Sequence, residues 1–221
     1  MEKQWKFKGC LFDLDGTLID SFAAAERAWT LIAMRNNLDV EHVLSVIHGR
    51  PAIESLTEVL EGQSHKTIQE EFDWLVQCET EDISDVVALN GSVAFLERLS
   101  ALKVPWGIVT SGSYSVAKAR FKALHMPEPS VFITAKDIIQ GKPHPEPYLL
   151  GAKYLEIEPS ECLVFEDAPS GVESGLASGA SVIGIFSHYD RDDLFDVEGV
   201  VDLSQAQVTV GNDEFKFIIT N

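Results

Sequence analysis

The chain has 221 residues, 45% of them hydrophobic and 24% charged, a composition that excludes disorder and lets a chain of this length bury a real core without staples. Asp and Glu number 35 against 17 Lys and Arg, and the resulting charge of −18 repels nucleic-acid backbones and anionic membranes. Three cysteines without CxxC spacing indicate neither a disulfide framework nor a zinc site, and the absence of an apolar leader or a long apolar run sets the expectation of a soluble cytoplasmic protein.

Short apolar runs that end abruptly in polar residues predict buried parallel strands over 7–12, 104–109, 162–165 and 181–186, with a shorter fifth over 131–134. Helical patterns separate them: Phe95, Leu96, Leu99 and Leu102, then 114–124, then 145–155. Strands alternating with helices specify right-handed βαβ units, so the fold class is α/β with a doubly wound parallel sheet. About seventy residues, 18–89, interrupt this rhythm after the first strand, too many for a structureless loop. Their pattern is helical over 23–34, 40–47, 53–60 and 67–78, punctuated by Asn36-Asn37, Gly49-Arg50-Pro51 and Gly62. The expected organisation is an α/β core of residues 1–17 and 90–221 carrying a helical cap, 18–89, over the strand ends. Residues 188–196 read as a loop opening a short helix, 199–203 as an edge strand, and the remainder to Asn221 as the least readable stretch.

Ligands bind beyond the carboxyl ends of strands in open α/β sheets, so the residues that follow each run carry the functional reading. After the first strand comes Asp13-Leu14-Asp15-Gly16-Thr17. Period-two spacing turns both carboxylates to one side, where one can attack and the other move a proton; an acidic surface turn has the same pattern. A calcium loop of the EF-hand type is excluded, because Gly16 is fourth rather than sixth and a strand precedes it. Thr110-Ser111-Gly112-Ser113 opens a helix, which makes it either an anion site of hydroxyls and free amides or an ordinary N-cap. Lys142 is a lone cation in a proline-stiffened loop, and Glu166-Asp167 adds two carboxylates at the fourth strand end. Acids converging on one sheet edge repel each other unless a divalent cation lies among them, and Mg²⁺ suits oxygen ligands plus a phosphate. In the insertion, His48-Gly49-Arg50 lies between two helical stretches; it is either a substrate-contacting loop, in which Gly49 allows close approach and Arg50 binds hydroxyls or an anion, or a solvent-exposed helix-ending turn.

In this order and spacing the four stretches resemble the motifs of the haloacid dehalogenase superfamily, over nearly the whole chain. Asp13-Leu-Asp-Gly-Thr17 is similar to the first motif, Thr110-Ser111-Gly112 to the second, Lys142 to the third and Glu166-Asp167-Ala-Pro-Ser-Gly171 to the fourth. The insertion resembles the helical cap of the β-phosphoglucomutase-like and sugar-phosphatase members, and 132–135 and 141–148 are similar to stretches in sugar-phosphate and glycerol-phosphate phosphatases of that branch. The resemblance implies that Asp13 attacks phosphorus, that Asp15 protonates the departing oxygen and then activates water, and that Ser111 and Lys142 hold phosphoryl oxygens. It implies Mg²⁺ on the Asp13 carboxylate, the Asp15 carbonyl and Asp167, with Glu166 nearby. The partner so implied is a small sugar or polyol phosphate, with no nucleic acid or membrane. Sugar phosphomutase activity is the alternative. It is put in doubt by Ala25 and Ala52, which stand where mutase-like members carry His and Arg. A non-enzymatic phosphate sensor is disfavoured by the intact Asp13, Asp15, Lys142 and Asp167.

Overall fold

The structure, a computed structural model, describes residues 3–47, 50–211 and 214–219. In chain order the strands and helices are β1 (Lys3–Phe7), β2 (Gly9–Phe12), β3 (Ile19–Asp20), α1 (Phe22–Arg35), α2 (Val40–Ser45), α3 (Ala52–Val59), α4 (His65–Glu81), β4 (Val87–Ala88) and α5 (Ser92–Ala101). They continue with β5 (Trp106–Val109), α6 (Tyr114–Ala123), β6 (Val131–Ile133), α7 (Glu146–Leu155), β7 (Cys162–Glu166), α8 (Pro169–Ala177), β8 (Ser181–Ile185), β9 (Gly199–Val200), β10 (Ala206–Val210) and β11 (Phe215–Ile219).

Among the described residues, a six-stranded sheet runs β6-β5-β2-β7-β8-β9 with every neighbouring pair parallel. The expected α/β fold with a doubly wound parallel sheet is therefore present. Strand alternation divides the core into two layers. Cys10, Phe12, Leu163 and Phe165 pack with Phe95 and Leu99 of α5 and Phe121 of α6 on one face, while Leu11 and Val164 pack with Tyr148 and Ala152 of α7 and Val172 of α8 on the other. Progress outward from β2 in both directions makes its carboxyl end the point where the connections part, which is where such sheets open a crevice.

Residues 7–12 do not form one strand. The chain breaks at Lys8, whose N–H donates to Glu161 O at 2.8 Å, so β1 leaves the parallel sheet and pairs antiparallel with β11. The C-terminal stretch that periodicity left unread forms β10 and β11, which join β1 in a three-stranded antiparallel sheet of order β1-β11-β10. This sheet lies against the parallel one through Phe217, which contacts Trp5, Phe95 and Phe165 at ring-centroid distances of 5.8, 6.0 and 5.2 Å. Residues 191–196 form turns rather than the expected short helix, and β9 is the expected edge strand.

The helical insertion is entered and left through β3 and β4, which pair with each other, Ile19 opposite Ala88 and Asp20 opposite Val87. Helices α1 to α4 bury their own apolar cluster of Ala28, Trp29, Ile32, Val43, Ile47, Leu56, Val59 and Leu75. Asp39 and Ser64 start α2 and α4 by accepting from the N–H groups of His42 and Thr67, at 2.8 and 3.1 Å. No described helix is long and apolar enough to cross a membrane.

Because Phe217 is fully buried at the junction of the two sheets, Phe217→Ala is expected to lower the unfolding free energy by about 3–5 kcal/mol in a urea titration. A loss under about 1 kcal/mol contradicts the packing role given to the C-terminal sheet.

Candidate active site

Four strand ends deliver the site. Asp13 follows β2, and its N–H donates to Phe165 O of β7 at 3.0 Å, so its backbone continues the ladder and its side chain emerges at the sheet edge. Lys142 reaches the same point from the loop before α7. Its Nζ donates to Asp13 Oδ1 at 2.5 Å, to Glu166 Oε1 at 2.6 Å and to Val109 O at 3.0 Å. All three donor directions of the ammonium are filled, and Lys142, Asp13, Glu166 and Asp167 are all buried.

Glu166 has no oxygen to spare. Oε1 also takes the Tyr148 hydroxyl at 2.7 Å, and Oε2 takes the N–H groups of Asp167 and Ala168 at 3.1 and 3.3 Å. A Cβ at Gly171 would overlap this carboxylate, so α8 begins close to Glu166 only because residue 171 is glycine. Asp167 Oδ1 accepts from Thr17 Oγ1 at 2.9 Å. Gly16, at φ +91°, lets the turn after β2 pass so close to the Asp167 carboxylate that a side chain there would collide with it.

The electrostatics follow from burial. Burial raises the Asp13 carboxyl to about 7 against the opposing pull of Lys142, with Glu166 and Asp15 adding to the rise. Burial also raises Asp167 well above the usual carboxylate range, and the charges of Asp13 and Glu166 push it further. For Lys142 burial works downward, but the two carboxylates it touches override it and its pKa is raised. Asp13, Glu166 and Asp167 offer oxygens within 4.8 Å of one another, and with all three ionised a single ammonium would leave two negative charges uncompensated. A divalent cation would cancel that surplus. With Glu166 saturated, the donors left for it are Asp13 and Asp167.

Asp15 stands at the cavity side of the same turn. Oδ1 accepts from Ser21 Oγ at 2.6 Å and from Arg120 Nη1 at 2.8 Å, while Oδ2 faces the 110–112 loop, 3.8 Å from where a Cβ on Gly112 would be. Arg120 of α6 also donates through Nη2 to Glu79 Oε1 of α4 at 3.0 Å. Burial raises Glu79, with Arg120 opposing.

The Thr110 side chain turns back to the backbone, accepting from Gly112 N–H at 3.0 Å. Ser111 and Gly112 line the cavity beside Asp13 and Asp15. Ser113, the residue before α6, makes no capping bond and its buried Oγ has no partner among the described residues, so this loop's hydroxyls are not spent on an ordinary cap. Arg50 also lines the cavity, with Nη1 donating to Glu58 at 2.8 Å and Nη2 lying 3.9 Å from Glu54. His48 and Gly49 lie outside the described residues. The cap contributes a mostly apolar wall that includes Phe22, Trp29, Ile47, Phe72 and Val76, and Ala25 and Ala52 are part of the same lining.

Periodicity does not single out Arg120, Glu79 or Ser21, and Thr17 and Tyr148 stand out only as members of the 13–17 and 141–148 stretches. Two of them carried a signal. Arg120 falls on the buried stripe Val116, Ala117, Arg120, Phe121, and Glu79 lies four residues beyond Leu75 on the buried face of α4, so each is a charge at an apolar position of its helix.

Residues 7–179 match the hydrolases described as haloacid dehalogenase-like. The chain is 48% identical over 203 residues to hexitol phosphatase A of Escherichia coli strain K12, covering 92% of this chain and 94% of that one. It is 35% identical over 198 residues to glycerol-1-phosphate phosphohydrolase 2 of Saccharomyces cerevisiae, covering 86% and 78%. A solved hydrolase from Pseudomonas syringae superposes with a TM-score of 0.79 at 27% identity, covering 90% of this chain and 96% of that one. The fold, the buried acid and lysine cluster and these matches agree: the chain belongs to the haloacid dehalogenase-like hydrolases.

Proposed function

We propose that the protein is a Mg²⁺-dependent cytoplasmic phosphatase of small sugar or polyol phosphates that works through an aspartyl phosphate on Asp13. The observation that carries this reading is the convergence of Asp13, Lys142 and Asp167 in one buried site with Asp15 at its open side. The substrate class is drawn from the relatives, a hexitol phosphatase and a glycerol-1-phosphate phosphohydrolase.

In this reading an oxygen of Asp13 forms a bond to phosphorus as the ester P–O bond breaks, and Asp15 gives its proton to the departing sugar oxygen. Water then attacks the aspartyl phosphate, Asp15 takes back a proton, and inorganic phosphate leaves. Asp15 suits both steps because Ser21 and Arg120 fix one of its oxygens and leave the other to carry the proton. Ser111, with the amides of the 110–112 loop and the start of α6, receives the phosphoryl oxygens, and Lys142 offsets the charge on Asp13. Asp13, Asp167 and the Asp15 carbonyl would hold the Mg²⁺, which when bound supplies charge neutralisation for the nucleophile and the phosphoryl group. Residues 18–89 act as a cap over residues 1–17 and 90–221, keeping bulk water from the intermediate.

Asp13→Asn keeps the shape of the side chain and removes the nucleophile, so phosphate release from sorbitol 6-phosphate is expected to fall by at least a thousandfold in a protein whose circular dichroism is unchanged. Retention of a tenth of the activity rules out the covalent route. Asp15→Asn is expected to slow both half-reactions, read in rapid-quench experiments as slower formation and slower loss of the aspartyl phosphate.

The raised pKa of Asp13 gives a pH prediction for the metal. A carboxyl whose folded pKa lies near 7 rather than near 3.8 stabilises the fold while protonated, and that stability is lost as pH climbs between the two values. A cation that binds the ionised form restores it, so the rise in Tm on replacing EDTA with Mg²⁺ is expected to be several degrees larger at pH 7.5 than at pH 5. An equal rise at both pH values, or none, contradicts the metal assignment.

A further inference from the structure

One arrangement in the cavity is only half used by this chemistry. Arg120 is 4% exposed, and its guanidinium forks between two carboxylates that the chain brings from opposite sides, Asp15 from the turn after β2 and Glu79 from the last turns of α4. One guanidinium in contact with both makes the two carboxylates neighbours, and the charge of Asp15 acts on Glu79. Asp15 has a task in the proposed reaction. Glu79, 8% exposed, has none, although it lines the cavity with Asp13 and Asp15 and Arg120 reaches only its Oε1, leaving Oε2 without a donor among the described residues.

The surroundings make this oxygen conspicuous. The wall that α1 and α4 present there is apolar, from Phe22, Trp29, Phe72 and Val76. The cationic group nearest in kind, Arg50, is already matched by Glu58 and Glu54. Asp15 and Glu79 share a single guanidinium: with both ionised this end of the cavity carries one surplus negative charge, and with Asp15 protonated Arg120 is left to Glu79 alone.

We infer that Glu79, held by Arg120, is a specificity-determining residue: its free oxygen accepts a hydrogen bond from a hydroxyl close to the scissile ester, and its charge turns away leaving groups that carry a second anion. The inference rests on the phosphatase reading and deepens it. Asp15 must come within about 3 Å of the ester oxygen to protonate it, so the carbons next to that oxygen pass beside Glu79. A carboxylate only accepts, so a hydroxyl satisfies it, whereas a carboxylate or second phosphate brings a like charge against the oxygen that Arg120 does not reach. A group built to bond a hydroxyl discriminates strongly against a partner that cannot supply one.

The test compares glycerol 3-phosphate with 3-phosphoglycerate, which differ by a hydroxymethyl group against a carboxylate two carbons from the ester carbon. The wild type, Glu79→Gln and Glu79→Asp are assayed for kcat/KM on both, with sorbitol 6-phosphate as a third substrate and Tm as the check on folding. Where turnover of a three-carbon ester is too slow to follow, its inhibition constant against sorbitol 6-phosphate gives the same comparison. The wild type is expected to favour glycerol 3-phosphate at least a hundredfold. Glu79→Gln keeps the shape and loses the charge, so the preference narrows at least tenfold, chiefly through KM. Glu79→Asp keeps the charge and withdraws the oxygen, so KM for the neutral esters rises while the preference is retained. A preference unchanged in Glu79→Gln, or changed alike in both variants, overturns the inference. A folded wild type inactive on every ester, sorbitol 6-phosphate included, instead overturns the phosphatase reading.

Discussion

The buried ammonium of Lys142 is the interaction on which the site depends. Placed between Asp13 and Glu166 with a backbone carbonyl as its third acceptor, it allows two carboxylates to sit at the end of a fully buried strand pair. Without it both acids would face each other in a low-dielectric pocket, and breaking such a pair costs about 3–5 kcal/mol. The same contact aims the chemistry. Glu166 spends both oxygens on Lys142, Tyr148 and the amides that begin the turn into α8, so it orients rather than reacts, and Asp13 and Asp167 remain to meet ligands.

The turn after β2 works under a related constraint. It must place Asp13 inward and Asp15 at the open side while passing within contact of Asp167, and only a residue without a side chain fits at position 16. Thr17 then bonds Asp167 across the site and Ser21 bonds Asp15 at the start of α1. A few residues thus tie the turn that carries Asp13 and Asp15, the Asp167 carboxylate and the entrance to the helical insertion into one hydrogen-bonded unit.

Much of this was legible in the sequence because strand ends are marked by abrupt changes from apolar to polar residues. Asp13, Thr110 and Glu166 stand at such changes, and the parallel fold then forces them together. Lys142 was visible through its prolines. Two kinds of feature were not legible. The three-stranded sheet joins residues more than 200 positions apart, Lys3 to Ile219, and its alternating Ala206-Gln-Val-Thr-Val210 run is short and half-exposed, so periodicity alone did not separate it from loop. Arg120 and Glu79 were hidden for the opposite reason: each occupies a helix position whose spacing reads as core, and only the approach of α4 to α6 makes two buried charges compatible.

The pairing of β3 with β4 has a consequence beyond the present molecule. Because the chain leaves the core at Ile19 and returns beside it at Ala88, the ends of the insertion are fixed as neighbours whatever lies between them. Doubling the length of such an excursion adds only about 0.6 kcal/mol of closure entropy, and none of the parallel register is altered by it. Evolution is therefore free to exchange or resize the helices over this doorway without touching the strand ends, and the range of molecules admitted can drift far faster than the reaction performed on them.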